Sequence, residues 1–263
     1  MYAEERQRAI ADQVHALGRA SVADLADAFD VTSETVRRDL ASLERAGHLR
    51  RVHGGAVPVD AVSMGELGVA ERETSHPDRK RRIGAAAARF CPPDGGSLLI
   101  DAGTTTVQAA AHLPTDRSLT VFTNSVQIAA TVAAQPAAPT SGRRRAELQL
   151  LGGRVRGLTQ AAVGPTTLTE LRGYRIDVAF VGTNGISEEH GLSTPDTDEG
   201  AVKAAMIDAA KRVVVLADSS KVGREELVSF ADLGQIDVLV TDAGIPADLS
   251  ATLSAHGVEV VIA

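Results

Sequence analysis

Three short segments near the start of the chain most limit how it can fold, because each has an apolar stripe at helical spacing. The stripes are Ile10, Val14 and Leu17; Val22, Leu25, Ala26 and Phe29; and Val36, Leu40 and Leu43. Helices of this length cannot bury their stripes alone, so the three must pack on one another. Residues 1–58 are therefore predicted to form one small domain built on three helices.

Capping and turn residues predict where these helices begin and where a hairpin comes after them. Ser21, with Asp24 three residues later, is typical of a helix N-terminus, and Thr32 or Ser33 marks the start of the third helix. After that helix, a Gly54-Gly55 pair between two strand-like segments suits the positive φ angles of a two-residue hairpin turn. The predicted arrangement is a winged helix-turn-helix.

The third helix presents arginines in its first turns, where the second helix of a helix-turn-helix contacts bases. Arginine matches the O6 and N7 atoms of guanine, and further arginines and a histidine follow where they could flank phosphates. The predicted DNA-binding residues are Ser33, Thr35, Arg37, Arg38, Arg45, Arg50, Arg51 and His53. The alternative for this region is a plain three-helix packing unit whose surface arginines bind nothing.

Charge limits the kind of DNA-binding protein this can be. The formal net charge is −7; residues 1–58 hold eight Arg and nine acidic residues, and residues 33–53 hold five Arg and three acids. Affinity depends on the local basic patch and on the number of copies, so one copy is expected to bind weakly. A homo-oligomer, dimer or tetramer, is predicted. A protein that coats DNA would need abundant basic surface, which this acidic chain lacks.

Composition argues against several other classes. The chain has one cysteine, Cys91, and no paired Cys and His ligands, so neither an internal disulfide nor a zinc site is predicted. No apolar run approaches the roughly 18 residues of a membrane span, and the charged start is unlike a signal peptide. We expect a cytoplasmic protein with no membrane contact, no metal and no cofactor.

From residue 77 onward, short apolar runs alternate with helical segments, whereas residues 59–76 lack clear periodicity and are interpreted as a linker with room for one helical piece. Helices separate most of the predicted strands, which are 97–101, 119–123, 147–151, 176–181, 213–217, 238–241 and 258–262. This alternation predicts an α/β domain over 77–263, with a largely parallel sheet and helices on both faces. Segment 135–145, rich in Pro, Ala and Arg, is interpreted as a surface loop.

The predicted strands end in small, hydroxylated, amide or charged residues. In an open α/β sheet, ligands bind outside the carboxyl ends of the strands. Gly103 allows close approach of a ligand, and the hydroxyl and N–H groups of Thr104–Thr106 suit a phosphate. Lys221 supplies a countercharge. Each feature alone is as compatible with capping as with binding, but five at one sheet edge favour a ligand site.

The chain resembles a known family in both halves. Arg6-x-x-x-Ile10 and Thr32-x-x-Thr35-Val36-Arg37-Arg38-Asp39-Leu40 resemble the N-terminal signature of DeoR-type bacterial transcriptional regulators, and Arg50-Arg51-Val52-His53-Gly54-Gly55-Ala56 resembles their wing. Other motifs resemble the DeoR-type sensor domain: Asp101-x-Gly103-Thr104-Thr105, Thr123-Asn124, Leu151-Gly152-Gly153, Asp177-x-x-Phe180-x-Gly182-x-Asn184-Gly185 and Asp218-x-Ser220-Lys221.

This resemblance implies a sensor domain similar in fold to ribose-5-phosphate isomerase and CoA transferases, with a phosphorylated sugar or polyol as effector. It implies that Thr104–Thr106 hold the phosphate and that polar residues around them contact hydroxyls or phosphate. The effector-binding residues predicted are Asp101, Gly103, Thr104, Thr105, Thr106, Asn124, Gly152, Gly182, Asn184, Asp196, Glu199 and Lys221. The start MYAEERQR and residues 152–159 most resemble actinobacterial fructose-operon repressors, which suggests fructose 1-phosphate.

The alternative function is a sugar-phosphate isomerase with an appended DNA-binding domain. Such an enzyme needs a general base, for which Asp196, Asp198 and Glu199, with Lys203 nearby, could serve. Asp198 and Glu199 are equally ordinary at a helix start. The isomerases have an acidic cluster after their fourth strand, where this chain has Val181-Gly-Thr-Asn184 without a carboxylate.

We therefore predict no catalytic residues and no enzyme. The chain is interpreted as a transcriptional regulator, and specifically as a repressor of a sugar-utilisation operon. Its predicted partners are double-stranded operator DNA and a phosphorylated sugar.

Overall fold

The computed structural model describes residues 3–17, 20–46, 48–52, 55–58, 68–135 and 146–263. Contacts divide the chain into two compact units, Met1–Leu67 and Gly68–Ala263. The segment interpreted as a linker, 59–76, lies across this division, because its residues from Gly68 onward belong to the second unit and include a short helix. Residues 59–67 and most of the predicted loop 135–145 lie outside the described residues.

The described residues of the first unit form three helices and a three-stranded antiparallel sheet. Its elements are α1 (Ala3–Leu17), β1 (Ala20–Ser21), α2 (Val22–Phe29), α3 (Ser33–Arg45), β2 (Leu49–Val52) and β3 (Gly55–Pro58), and the sheet order is β1-β3-β2. The helix stripes and the hairpin share one buried core, made of Ile10, Val14, Ala20, Leu25, Ala26, Val36, Leu40, Leu43, Leu49 and Ala56. The predicted helix-turn-helix with a hairpin is confirmed.

Side chains cap the starts of α2 and α3. The Ser21 Oγ atom accepts a hydrogen bond from the Asp24 N–H at 3.0 Å, as the capping pattern predicts. Of the two candidates for capping α3, the structure selects Thr32, whose Oγ1 atom accepts from the Thr35 N–H at 3.2 Å. The first turn of α3 is thus anchored one residue before Ser33.

The predicted Gly54-Gly55 turn is wrong by one residue. Val52 pairs with Gly55, so the two connecting residues are His53 and Gly54, which lie outside the described residues. Gly55 belongs to β3, where a Cβ atom would lie 2.2 Å from the carbonyl oxygen of Ala20. Glycine at 55 is needed because β1 passes close to β3, a contact between distant segments that a hairpin pattern does not reveal.

The second unit is an α/β domain. Its helices are α4 (Val69–Thr74), α5 (Pro77–Ala87), α6 (Thr106–Ala111), α7 (Val126–Ala133), α8 (Pro165–Leu171), α9 (Thr197–Ala209) and α10 (Ala247–Ala255). Its main sheet contains β4 (Ser97–Ile100), β5 (Thr120–Thr123), β6 (Glu147–Leu150), β9 (Val178–Val181), β12 (Val213–Leu216), β14 (Val238–Thr241) and β15 (Glu259–Ile262). Its remaining strands are β7 (Arg154–Val155), β8 (Ala162–Val163), β10 (Gly185–Ser187), β11 (Gly191–Thr194) and β13 (Val228–Ala231).

All seven strands of the main sheet are parallel, in the order β6-β5-β4-β9-β12-β14-β15. The chain builds the sheet outward from β4 through β5 to β6, then returns to the other side of β4 with β9. Strand order therefore reverses between β4 and β9. In sheets of this kind, the crevice outside the carboxyl ends at the reversal is where ligands bind.

Both faces of the sheet are covered, which confirms the predicted α/β architecture. Leu98, Ile100 and Phe180 point to one face and share a core with α5, α6 and α7. Leu99 and Val181 point to the other face, where α8, α9, α10 and the smaller strands pack. The alternation follows the two-residue period of a strand and explains why nearly every strand residue is apolar.

Several elements were not predicted. They are α10, the antiparallel pair β7-β8, and a separate antiparallel sheet of order β10-β11-β13. These strands are two to four residues long, and two of them start with glycine. Gly191 begins β11, where φ is +64° and a Cβ atom would lie 2.2 Å from the Ala231 carbonyl oxygen. The formation of β11 therefore depends on its close contact with β13, which is distant in the sequence.

Candidate DNA-binding surface and effector site

The first turns of α3 form an exposed basic surface. The side chains of Arg37 and Arg38 are 62% and 82% exposed. Both form ion pairs with Glu34: Arg37 Nη1 lies 3.8 Å from one carboxylate oxygen, and Arg38 Nε lies 3.9 Å from the other. Exposed ion pairs of this kind are weak, so both guanidinium groups are available to a ligand. Ser33 is exposed beside them, and Thr35 is partly buried with its hydroxyl 2.9 Å from that of Thr32.

For the other predicted DNA-binding residues, the structure gives only the element to which each belongs. Arg45 is the last residue of α3, and Arg50 and Arg51 lie in β2. His53 lies outside the described residues. The structure therefore groups Ser33, Thr35, Arg37 and Arg38 on one helix start, and the strand that contains Arg50 and Arg51 lies next to that helix.

The residue that holds α3 in place, Asp39, was not predicted from the sequence. Asp39 is buried, and its carboxylate accepts hydrogen bonds from Arg6 Nε at 2.6 Å and Gln7 Nε2 at 2.8 Å, both on α1. Its position between Val36 and Leu43 places it in the apolar stripe of α3. A carboxylate in a buried stripe needs a partner, and this is the signal that could have identified Asp39 as structural.

In the second unit, the predicted effector residues collect at the carboxyl edge of the main sheet. Asp101 and Gly103–Thr106 follow β4, Asn124 follows β5, and Gly152 lies just beyond β6. Gly182 and Asn184 follow β9, and Lys221 follows β12. Because these strands are parallel, all of their carboxyl ends lie on one edge.

A buried ion pair joins β4 to β9 where the strand order reverses. Asp101 is 2% exposed, and its Oδ2 atom accepts from the Gly182 N–H at 3.0 Å and from Lys203 Nζ. Lys203, on α9, also donates to the Gly182 carbonyl at 2.9 Å. Burial raises the pKa of Asp101, and the Lys203 ammonium opposes that rise. Lys203 was predicted only as a neighbour of the candidate general bases of an isomerase.

Four neighbouring backbone donors lie beside this ion pair. In the described part of the chain, the N–H groups of Gly103, Thr104, Thr105 and Thr106 donate to no acceptor. The Thr106 hydroxyl closes the turn by donating to the Gly103 carbonyl at 2.9 Å. Successive free N–H groups at a turn form a concave, positively polarised surface that suits an anion.

Hydrogen bonds of Asn124 and Gly152 connect the loops at the carboxyl edge of the main sheet. The Asn124 amide accepts from the Ala102 N–H at 3.0 Å and donates to the Ala162 carbonyl at 3.2 Å, so it orients the loop after β4. The Gly152 N–H donates to Glu170 at 3.1 Å. Asn184 accepts from the Thr194 hydroxyl at 3.3 Å.

The predicted acids Asp196 and Glu199 lie in a second buried network. Glu199 accepts from Arg156 Nη1 at 2.6 Å and from the Thr159 hydroxyl, and Asp196 lies 3.4 Å from Arg156 Nε. Asp196 also caps α9 by accepting from the Glu199 N–H at 2.9 Å. Both carboxylates are therefore bound by groups of the protein itself. The network fixes the β7-β8 segment to the start of α9, and Arg156 was not predicted.

Lys221 lies in a 3₁₀ turn, Ser219–Lys221, directly after β12. Burial lowers the pKa of its ammonium, while the Asp218 carboxylate raises it. Across the described ranges, Lys221 has no hydrogen bond from its ammonium and no ion pair. Among those same residues, no cluster of three His, Cys, Asp or Glu side chains could bind a metal ion, and no helix is long and apolar enough to span a bilayer.

Comparison with protein families identifies both units. Residues 6–62 match the DeoR-like helix-turn-helix domain, and residues 75–243 match the DeoR C terminal sensor domain. The chain belongs to the DeoR family. The resemblance inferred from the sequence motifs is thereby confirmed.

Similar proteins cover nearly the whole chain. The HTH-type transcriptional regulator GlpR of Haloferax volcanii is 36% identical over 99% of this chain and 98% of that protein. The uncharacterized HTH-type transcriptional regulator FruR of Bacillus subtilis is 34% identical over 92% of each. The glycerol-3-phosphate regulon repressor of Escherichia coli is 28% identical over 97% of each.

A solved ribose 5-phosphate isomerase A from Methanocaldococcus jannaschii aligns with 56% of this chain and 55% of its own, at 17% identity and a TM-score of 0.40. The relatives that match along the whole chain are regulators and repressors. This DeoR-family member is accordingly a DNA-binding transcriptional regulator with a sensor domain, and it is not an enzyme.

Proposed function

We propose that this DeoR-family regulator represses a sugar-utilisation operon and that a phosphorylated sugar, fructose 1-phosphate in the first instance, releases it from its operator. The observation that supports an anionic effector most strongly is the row of free N–H groups at Gly103–Thr106. These donors lie at the reversal of strand order, where a sheet of this kind binds ligands. A phosphate there would accept the hydrogen bonds that the protein leaves unused.

The choice of fructose 1-phosphate has narrower support. Residues 152–159 resemble fructose-operon repressors, and the similar protein FruR bears a matching name. The glycerol-3-phosphate regulon repressor favours a second candidate of the same chemical class, glycerol 3-phosphate. Both candidates combine a phosphomonoester with hydroxyl groups, so both suit an edge that offers N–H donors, hydroxyls and lysine.

On the DNA side, we propose that α3 enters the major groove and that Arg37 and Arg38 contact bases or phosphates. Their high exposure and weak pairing with Glu34 support this role. The basic surface of one copy is small, so we propose that a dimer or tetramer binds the operator. Effector binding would favour a conformation with lower operator affinity, which requires different effector affinities in the two conformations.

The test is a gel-shift titration of the full chain on the DNA upstream of its own gene. Fructose 1-phosphate, glycerol 3-phosphate, fructose 6-phosphate and unphosphorylated fructose are added in separate series. We expect a retarded complex that fructose 1-phosphate dissolves and that fructose leaves intact. The proposal is refuted when the DNA is not bound at low salt, or when no phosphorylated compound alters binding.

A further inference from the structure

The β7-β8 hairpin, residues 154–163, is held together by its own backbone. Its two strands pair antiparallel. The segment between them is closed by two hydrogen bonds, from the Arg156 N–H to the Ala161 carbonyl at 2.9 Å and from the Gln160 N–H to the Arg156 carbonyl at 2.7 Å. Gln160 has a φ of +55°, a conformation that a residue other than glycine keeps where its surroundings fix it. The hairpin can therefore act as one body on the elements that it contacts.

The first of these contacts is with the loops at the carboxyl edge of the main sheet. The Ala162 N–H donates to the backbone carbonyl of Asn124 at 2.7 Å, and the side-chain amide of Asn124 donates to the Ala162 carbonyl at 3.2 Å. The same amide accepts from the Ala102 N–H at 3.0 Å. Ala102 directly precedes the free N–H groups of Gly103–Thr106. A movement of that loop is therefore passed to the hairpin through Asn124.

The second contact is with α9, and Arg156 makes it. Its guanidinium donates to Glu199 at 2.6 Å and lies 3.4 Å from Asp196, and all three side chains are buried. The Thr159 hydroxyl donates to the same Glu199 carboxylate. Charges in a low-dielectric interior act strongly at short range, so separating them is costly. Arg156 therefore fixes the position of the hairpin relative to the start of α9.

Through α9 the hairpin has a second connection to the loop after β4. Lys203 lies one turn after Glu199 on this helix, and it binds Asp101. Asp101 directly precedes Ala102. The loop that carries the free N–H groups is thus connected to the hairpin at two neighbouring residues, once through Asn124 and once through α9.

The third contact is with the start of α4. The Val69 N–H donates to the Leu158 carbonyl at 3.1 Å, and a Cβ atom on Gly68 would lie 3.5 Å from the Leu158 side chain. Gly68 is the first residue of the second unit, and it caps α4. The chain that comes from the DNA-binding unit therefore enters the sensor unit at this contact. The hairpin thus links the carboxyl edge of the sheet to the start of the sensor unit.

We propose that the β7-β8 hairpin couples effector binding to operator binding and that Arg156 is the residue that positions it. A bound effector holds the loop after β4 in one position, Asn124 and α9 pass that position to the hairpin, and the Leu158 carbonyl passes it to the first turn of α4. Such coupling requires that the effector bind the two positions with different affinity. This inference rests on the proposed function, in which an effector controls operator binding.

The decisive variant is Val69→Pro. Val69 is the first residue of α4, a position where proline is well tolerated because its N–H has no partner within the helix. Gly68 before it is extended, with a ψ of 164°, as a residue that precedes proline must be. The substitution therefore removes the hydrogen bond to Leu158 and leaves α4 intact. Val69→Ala is the matched control, because it shortens the same side chain and keeps the N–H.

A second variant, Arg156→Lys, tests the positioning residue. A lysine keeps the positive charge, but its single ammonium cannot hold two carboxylates as the planar guanidinium does. Arg154→Lys is its control on the same hairpin, since Arg154 is exposed and pairs with the exposed Asp198.

Two quantities are measured on the full chain. Calorimetry gives the dissociation constants of fructose 1-phosphate and glycerol 3-phosphate, and gel shifts give the operator dissociation constant without and with saturating sugar phosphate. The ratio of the two operator constants is the coupling. We expect Val69→Pro and Arg156→Lys to lower this ratio at least about fivefold, while sugar-phosphate binding and operator binding without effector stay within about threefold of wild type. Both controls should keep the wild-type ratio.

The outcomes separate this inference from the proposed function. A wild-type ratio in Val69→Pro overturns the coupling role of the hairpin, while the proposed function stands. A lower ratio in Val69→Pro with a wild-type ratio in Arg156→Lys supports the hairpin and overturns the role of Arg156. Operator binding by the wild-type chain that neither sugar phosphate alters overturns both the inference and the proposed function. Circular dichroism checks folding, and if Arg156→Lys does not fold, Val69→Pro decides.

Discussion

The two units of this regulator hold positive charge in opposite ways. On α3, Arg37 and Arg38 extend into solvent and are loosely paired with Glu34. At the sheet edge, Lys80 and Lys203 are almost fully buried. Charges in water act weakly and are screened by salt, so they suit a polyanion that is contacted by many groups at once. Charges in a low-dielectric site act strongly at short range, so they suit one small anion.

The largest effect should come from removing one partner of the buried pair. Lys203→Ala leaves Asp101 buried without its cation, and we expect a loss of about 3 kcal/mol in the free energy of unfolding. Lys211→Ala breaks an exposed pair with Asp177 near the end of the same helix and should cost less than about 1 kcal/mol. Urea unfolding followed by circular dichroism measures both. Equal losses of unfolding free energy in the two variants would contradict the expectation that a buried ion pair matters more for stability than an exposed one.

The exposed charges should matter for DNA and not for stability. Arg37→Ala should weaken operator binding by about 1–3 kcal/mol if the guanidinium contacts a base, with no change in unfolding. Arg8→Ala removes a charge from an exposed position on α1 and is the control. Gel shifts at several salt concentrations give both affinities. Operator binding by Arg37→Ala that equals that of the control removes Arg37 from the proposed surface.

The buried lysine should make effector binding sensitive to pH. The pKa of Lys80 is about 8 without ligand, and its charged neighbours are Asp218, Lys221, Arg72 and Glu73. The start of α5 lies beside the residues that follow β12, at the edge where the effector is proposed to bind. A phosphate bound at this edge would favour the protonated form of Lys80 and raise its pKa, so binding would take up a proton above pH 8. Affinity should therefore fall as pH rises, by up to about tenfold per unit while Lys80 loses its proton in the free protein.

Calorimetry between pH 7 and pH 9.5 tests this expectation, because a phosphomonoester keeps its charge above its second pKa of about 6. Lys80→Met should remove most of the slope. A slope that is the same in wild type and in this variant would mean that another group titrates.

The smallest effect should come from the cap of α3. Thr32→Ala removes the acceptor of the Thr35 N–H, and we expect a loss of about 1 kcal/mol in the stability of the DNA-binding unit. Ser33→Ala, one residue later, is the control and should change stability by less than about 0.5 kcal/mol. Thermal unfolding followed by circular dichroism compares the two. A larger loss for Ser33→Ala would show that the cap is misassigned.

Local pattern predicted much of this fold. Apolar periodicity located the three helices of the first unit, and Ser21 and Thr32 were correctly placed at helix starts. Apolar runs located all seven strands of the main sheet to within two residues. The polar residues after the predicted strands, such as Asp101 and Thr104–Thr106, indicated where a ligand would bind. These features depend on residues close together in the chain, so a single sequence contains the information.

Contacts between distant residues could not be predicted in this way. Arg6 and Asp39 are 33 residues apart, Arg156 and Glu199 are 43 apart, and Asp101 and Lys203 are 102 apart. A local pattern shows that each is polar or charged and says nothing of its partner. The burial of Lys80 is of the same kind, since a lysine in a helix rich in arginine looks like any surface residue until α5 is packed against β12 and β14.

The amino-acid order by itself determined the helices, the main strands and the edge of the sheet to which a ligand would come, because periodicity, capping and strand direction are set within a few residues. Only the tertiary structure decided which charges at that edge are paired within the protein and which are not. The energy of a buried charge depends on every group packed around it, and those groups come from segments that are brought together only when the chain folds.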